Sequence, residues 1–153
     1  MILFFDTSAL VKYFHQEKGT NTVVSLISNP DNEIWISELA RLEFICAVYR
    51  RFRMKEINEV ELSKIIEGFN EECLNFKVKK IGTAVLNVAE ELVKDLGKAL
   101  GLRSLDAIHL ATFYLFKDIP QIAFVVADDI LIKAAKQINA KIINPILGPK
   151  ILL

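Results

Sequence analysis

The stretch Ile2-Leu3-Phe4-Phe5-Asp6-Thr7-Ser8-Ala9-Leu10-Val11 decides the fold class. A short apolar run closed by an aspartate, passing at once into helical spacing, reads as a buried strand that hands over to a helix. Ser8 is placed to cap that helix, which continues through Tyr13 and Phe14. The same grammar returns late in the chain. Ala123-Phe124-Val125-Val126 reads as a buried strand that ends at Ala127-Asp128-Asp129, and a helix through Ile130, Leu131, Ala134 and Ala135 follows. Short apolar runs alternating with helical segments predict an α/β fold with a mostly parallel central sheet flanked by helices.

A second helix is expected near Thr22 to Ile27, before the turn cluster Asn29-Pro30-Asp31-Asn32. Ile34-Trp35-Ile36 is a short strand, and Ser37 with Glu38 begins a long helix to about Arg53. Asn58 to about Phe76 reads as a helix with Val60, Leu62, Ile65, Ile66 and Phe69 as its apolar stripe. Phe76 to Ile81, carrying Lys77, Lys79 and Lys80, has the look of an edge strand whose lysines discourage aggregation. Thr83 to Leu96 is helical, Gly97 and Gly101 loosen the chain, and Ser104 to Phe116 is a further helix. Lys141 to Ile143 is expected to be the last strand. There is no repeat, low-complexity tract or linker, and a length of 153 residues favours a single domain over 1–153.

Hydrophobic residues make up 52% of the chain and mean hydropathy is +0.33, enough to build a core and to exclude extended disorder. The 19 basic and 19 acidic residues cancel, so a nucleic-acid partner would have to be attracted by local patches or by metal ions. Cys46 and Cys73 lack metal-like spacing and read as buried small hydrophobes in a reducing compartment. The apolar start is too short for a signal peptide, and no run reaches the roughly 18 apolar residues of a membrane span. The expected location is cytoplasmic.

Four carboxylates stand out by position. Asp6 and Asp128 close two strands, and the carboxyl ends of parallel strands surround the crevice where open α/β sheets bind ligands. Either one alone could equally be a turn residue or a helix cap. Glu43 falls inside the stripe Leu39, Leu42, Cys46 and Ala47, where a surface glutamate is not expected. Asp106, His109, Leu110 and Phe113 follow the spacing of one helical face, so Asp106 points inward or along a cleft wall. An ionised carboxylate in such a place must be paired, protonated or bound to a cation. Arg41 and Arg103 are candidates for pairing. An all-oxygen set suits Mg²⁺ or Mn²⁺ better than Zn²⁺. Such ions acidify water and polarise phosphoryl oxygens, and two of them about 4 Å apart can clamp a phosphodiester.

The segments Phe5-Asp6-Thr7-Ser8-Ala9-Leu10-Val11-Lys12, Ser37-Glu38-Leu39-Ala40-Arg41-Leu42-Glu43, Leu102-Arg103-Ser104-Leu105-Asp106-Ala107-Ile108-His109-Leu110-Ala111 and Phe124-Val125-Val126-Ala127-Asp128, in this order, resemble the PIN-domain family, specifically its small toxin members of the VapC kind. The resemblance covers nearly the whole chain. It implies a three-layer Rossmann-like fold and Mg²⁺- or Mn²⁺-dependent endoribonuclease activity, with an RNA substrate. It also implies frequent homodimerisation and an inhibitory antitoxin. By that resemblance Asp6, Glu43, Asp106 and Asp128 are the catalytic quartet. Asp6, Asp106 and Asp128 hold the metal, and Ser8 supports Asp6. The sequence departs from the family at Val126, where a Thr or Ser usually stands two residues before the last acid. Asp129 could share the role of Asp128, or could simply favour the dipole of the helix it begins.

Other residues have two readings each. His109, one turn after Asp106, is either a structural histidine of the cleft wall or half of an Asp-x-x-His zinc pair. Lys12 either contacts phosphate or is solvated. Arg50, Arg51, Arg53 and Lys55 either steer an RNA backbone or complement a helix C-terminus. Tyr13, Phe14, Tyr49 and Phe52 are core or an interface with a second copy or an antitoxin. Among competing functions, an aspartyl-nucleophile phosphatase would want a second Asp where Ser8 stands. A dinucleotide-binding domain would want glycines where Asp6-Thr7-Ser8 stands. A non-catalytic RNA- or protein-binding module is the remaining alternative, and DNA cleavage is compatible with the same metal chemistry.

Overall fold

In the computed structural model, which describes residues 1–152, the order is β1(Ile2–Phe5), α1(Thr7–Phe14), α2(Thr20–Ile27), β2(Glu33–Ser37), α3(Glu38–Arg53), α4(Glu59–Cys73) and β3(Lys77–Lys79), followed by α5(Thr83–Leu100), α6(Ser104–Tyr114), β4(Ile122–Val125), α7(Asp129–Gln137), β5(Ile142–Ile143) and β6(Ile151–Leu152). The strands form a six-stranded sheet in the order β3-β2-β1-β4-β5-β6. All neighbours are parallel except β5 and β6. β1 sits in the middle with β2 on one side and β4 on the other, and the chain switches direction across it.

Alternation along the strands builds two cores. Leu3, Phe5, Ile34, Ile36, Ala123 and Val125 face α1 to α4, while Phe4, Trp35, Ile122, Phe124 and Val126 face α5 to α7. The result is three layers with both faces of the sheet covered, so the strands read as near-continuous apolar runs. On the first face Phe14, Phe44 and Phe69 pack together, with the rings of Phe44 and Phe69 stacked at 3.8 Å. On the second, Phe4, Phe113 and Phe124 do the same.

Several expectations are corrected. Asp6, not Ser8, caps α1, because its side chain reaches the Ser8 N–H. α2 starts at Thr20, after Gly19 at φ +97, where an added Cβ would meet the Pro145 carbonyl group at 3.1 Å. α4 ends at Cys73 rather than Phe76, while α5 runs through Gly97 to Leu100 and stops at Gly101 in the left-handed region. β6 is an added antiparallel edge strand.

The largest correction concerns α3, whose buried stripe is Ala40, Phe44 and Val48. Leu42 is 62% exposed and Cys46 is exposed. Two apolar stripes with helical spacing compete on this helix, and packing of Phe44 against Phe14 and Phe69 selects one. Glu43 therefore lies at the border of the buried face rather than inside it. Lys12 is neither solvated nor free for phosphate. It is buried and paired with Glu17 at 3.2 Å. The lysine-bearing strand β3 does occupy an edge, with Lys79 over the Trp35 ring at 3.2 Å. Among the described residues, no helix is long and apolar enough to cross a membrane.

Candidate active site

The carboxyl ends of β1 and β4 lie side by side, with Phe5 level with Val125, and the Asp6 N–H donates to the Val125 carbonyl at 2.9 Å. Asp6 and Asp128 are each the N-cap of the helix that follows. Asp6 Oδ2 accepts from Ser8 N at 2.9 Å and Asp128 Oδ1 accepts from Leu131 N at 2.8 Å. The cap role does not use up either carboxylate. Capping uses one oxygen of each and fixes its rotamer, and the other oxygen stays outside the cap. Ser8 links the two loops by accepting from the Ala127 N–H at 3.0 Å. Val126 is fully buried in the second core, so no hydroxyl supports Asp128 from there. Asp129 is exposed in the first turn of α7, where an acid favours the helix dipole.

Asp106 enters from the first turn of α6. Burial raises its carboxyl above the ordinary range, and the neighbouring charges of Asp128 and Asp6 raise it further, with Arg103 offsetting only part. Three carboxylates from three elements thus crowd one crevice. Neither Arg41 nor Arg103 pairs with them within 4 Å among the described residues, and the ionic contacts there are those of His109.

Glu43 comes from the second turn of α3 and is held differently. Its Oε2 accepts from Thr7 Oγ1 at 2.5 Å and from His109 Nε2 at 2.6 Å. Burial opposes its ionisation, yet the hydrogen bonds from His109 and Thr7 carry its carboxyl below the ordinary value. His109 is 1% exposed, with Nδ1 at 3.0 Å from Ser37 Oγ and 3.9 Å from Asp6 Oδ1. Burial pulls the imidazole down, but the bond to Glu43 and the charges of Asp6, Glu43 and Asp106 outweigh it, so the ring is raised above its ordinary value. Both ring nitrogens face protein partners. The zinc-pair reading of Asp106 and His109 therefore gives way to the hydrogen-bonded histidine of the cleft wall.

For a divalent cation, the donor chemistry of Asp6, Asp106 and Asp128 fits, since hard carboxylate oxygens whose charge is only partly offset are what such an ion neutralises. As placed, no group of three or more His, Cys, Asp or Glu side chains among the described residues stands close enough to hold a metal by itself. Thr7 and Ser37 are the site residues that sequence reasoning missed. Ser37 was visible as a helix start, whereas nothing local distinguishes Thr7.

Beside the site, Leu39, Leu42, Glu43, Cys46, Arg50, Arg53 and Leu105 line a shallow recess. Tyr49 and Phe52 are exposed on the same helix, whereas Phe14 packs into the first core and Tyr13 donates to Glu72 at 3.1 Å.

The family described as PIN domain matches residues 3–137. No curated protein matches the chain in sequence. Among solved structures, FitAcB from Neisseria gonorrhoeae is similar at TM-score 0.68 and 15% identity, covering 95% of this chain and 98% of that one. VapBC2 from Rickettsia felis, bound to a DNA fragment from its promoter, is similar at TM-score 0.65 and 18% identity, covering 94% and 98%. A toxin–antitoxin complex from Klebsiella pneumoniae is similar at TM-score 0.63 and 17% identity, covering 94% and 97%. At these identities the likeness is one of fold.

Proposed function

The chain belongs to the PIN domain family, and on that premise we propose that it is a Mg²⁺- or Mn²⁺-dependent endoribonuclease, the toxin of a toxin–antitoxin pair. The observation that carries the reading is the gathering of Asp6, Asp106 and Asp128 at one crevice, where burial and then the charges of Asp128 and Asp6 raise the Asp106 carboxyl, and where no lysine or arginine among the described residues is paired to any of the three. Like charges are kept together at a cost in stability, and a cation between them explains why. When bound, such an ion supplies charge to a phosphoryl oxygen and acidifies water.

The chain's own residues do the rest. Asp6, Asp106 and Asp128 would hold the ion. Glu43, ionised at the rim, is placed to accept a proton from water as it adds to phosphorus. One P–O ester bond then breaks, and the leaving oxygen takes up a proton. Ser8 keeps the two cap loops in register. Arg50 and Arg53, in the recess that contains Glu43, are positioned to take an RNA backbone. Exposed Leu42, Tyr49 and Phe52 beside that recess offer apolar surface to a protein partner, an antitoxin or a second copy. One of the similar structures, that from Klebsiella pneumoniae, is a toxin–antitoxin complex, which supports the partner. A cytoplasmic location and a single domain over the whole chain belong to the same proposal.

The test is cleavage of a mixed single-stranded RNA, with a DNA strand in parallel. It is run in Mg²⁺ or Mn²⁺ beside a chelator control and Asp6→Asn. Cleavage lost in both controls is expected, and cleavage that survives chelator overturns the metal reading. A second reading, a non-catalytic RNA- or protein-binding module, is favoured by the absence of a ready-made ligand group among the described residues. Its signature is well-folded protein that binds RNA or a partner and cuts nothing.

A further inference from the structure

We propose that His109 is a positioning residue of this site, one that clamps Glu43 at the rim and so keeps it apart from the three aspartates that bind the ion. The inference rests on the nuclease reading above. It begins with α3. That helix is capped at its first turn by Ser37, whose Oγ accepts from Ala40 N at 3.2 Å, and it carries Glu43 on its second turn. One imidazole, reaching over from α6, meets both points. Nδ1 faces Ser37 Oγ at 3.0 Å and Nε2 donates to Glu43 Oε2 at 2.6 Å. In the neutral ring the Ser37 hydroxyl donates to Nδ1. In the protonated ring Nδ1–H donates to Ser37. Nε2–H donates to Glu43 in both, so the clamp does not depend on the charge of the ring.

Thr7 closes the arrangement from α1 by donating to the same Oε2, at 2.5 Å. Both bonds fall on Oε2, which leaves Oε1 out of the clamp and able to serve the reaction. The four residues come from the start of α1, the end of β2, the second turn of α3 and the middle of α6, the elements that wall the crevice. A histidine this deeply buried, with both nitrogens engaged, is fixed in orientation, and a fixed donor fixes the carboxylate it holds. Without it, the Thr7 hydroxyl alone holds Glu43, a side chain at a partly exposed helix edge that could then turn toward the recess. The Nδ1 edge lies 3.9 Å from Asp6 Oδ1, so the same ring also borders the ion's ligands without being one of them.

The test uses the full chain with His109→Gln, His109→Leu, Glu43→Gln and the His109→Leu/Glu43→Gln double variant. Gln keeps an N–H donor near the place of Nε2, while Leu removes it. Mn²⁺ binding is read by electron paramagnetic resonance without RNA, and kcat and KM are read on RNA. The imidazole N–H is read by NMR in chelator. In the wild type, a slowly exchanging downfield Nε2 proton is expected that shifts in Glu43→Gln. His109→Leu should lose about 10–100-fold in Mn²⁺ affinity or kcat, the range for partners of metal-site carboxylates. His109→Gln should recover most of that loss, and KM should change little. In the double variant the two losses should not multiply. Multiplying losses, an absent or Glu43-insensitive proton signal, or a His109→Gln as impaired as His109→Leu each overturn the clamp. If His109→Leu does not fold, the Gln variant and the NMR signal still decide. Wild-type protein that shows the imidazole signal yet binds no Mn²⁺ overturns the nuclease reading, and the positioning role with it, while leaving the hydrogen bond standing.

Discussion

Replacing Asp106 by asparagine should make the protein more stable and inactive at once. In the structure the Asp106 carboxyl is raised by burial, then by the charges of Asp128 and Asp6, with Arg103 offsetting only part. For an acid raised on folding, the folded protein binds more protons than the unfolded chain between the ordinary value of 3.8 and its own higher one. Stability therefore falls as pH rises through that window, and the full cost is present at neutral pH. Asparagine keeps the shape and removes the charge. Relieving a strained functional group of this kind typically gains about 0.5–2 kcal/mol. For a chain of this size each kcal/mol moves Tm by about 2–4 °C. The assay is thermal unfolding of both proteins in chelator at pH 7.5 and again near pH 3, followed by a titration with Mg²⁺. The variant should melt several degrees higher at pH 7.5 in chelator and lose its advantage near pH 3. Mg²⁺ should raise the Tm of the wild type alone, by mass action on the folded state. An unchanged or lower Tm for Asp106→Asn in chelator would refute the argument that repulsion among these acids is held in the fold.

Val126→Thr, which installs the hydroxyl usual in this family, should cost about 1–3 kcal/mol in urea unfolding, because the side chain is fully buried among apolar groups. It should not increase cleavage. Ser8→Ala removes the acceptor of the Ala127 N–H, so a loss of about 1–3 kcal/mol is expected, with hydrogen exchange at Ala127 as the local readout. The His109–Glu43 pair makes stability pH-dependent from both sides. Its histidine contribution is present below about 6.5 and lost as pH rises through the elevated folded value. Its glutamate contribution is present above 4.5 and lost as pH falls through the depressed one. Urea midpoints from pH 3 to 9 in chelator should show both losses in the wild type and neither in the His109→Leu/Glu43→Gln double variant.

Much of the architecture was legible in the residues themselves. Strands buried on both faces announce themselves as unbroken apolar runs, and the carboxyl end of such a run is marked by the first residue that cannot be buried without a partner. Asp6 directly after Phe5 and Asp128 two residues after Val126 carry that mark, and period alone brought Asp106 onto the face of His109 and Leu110. The alternation of strands and helices then implied a parallel sheet, and with it a shared edge for the acids. Local information could not choose between the two apolar stripes of α3. Both have helical spacing, and only the aromatic rings of Phe14 and Phe69, brought from other helices, select Phe44 over Leu42. The same limit hid the inner workings of the site. Thr7 and Glu43 are 36 residues apart, Glu43 and His109 66, and Ser37 and His109 72. Spacing along one helix cannot report a hydrogen bond between two of them. Short-range pattern and the cost of burying a carboxylate were enough to pick out the four acids and to set Asp6 and Asp128 at strand ends. That Glu43 is held by a histidine rather than standing with the aspartates comes from long-range packing, because a buried imidazole takes its partners from whatever distant elements are brought within 3 Å of it.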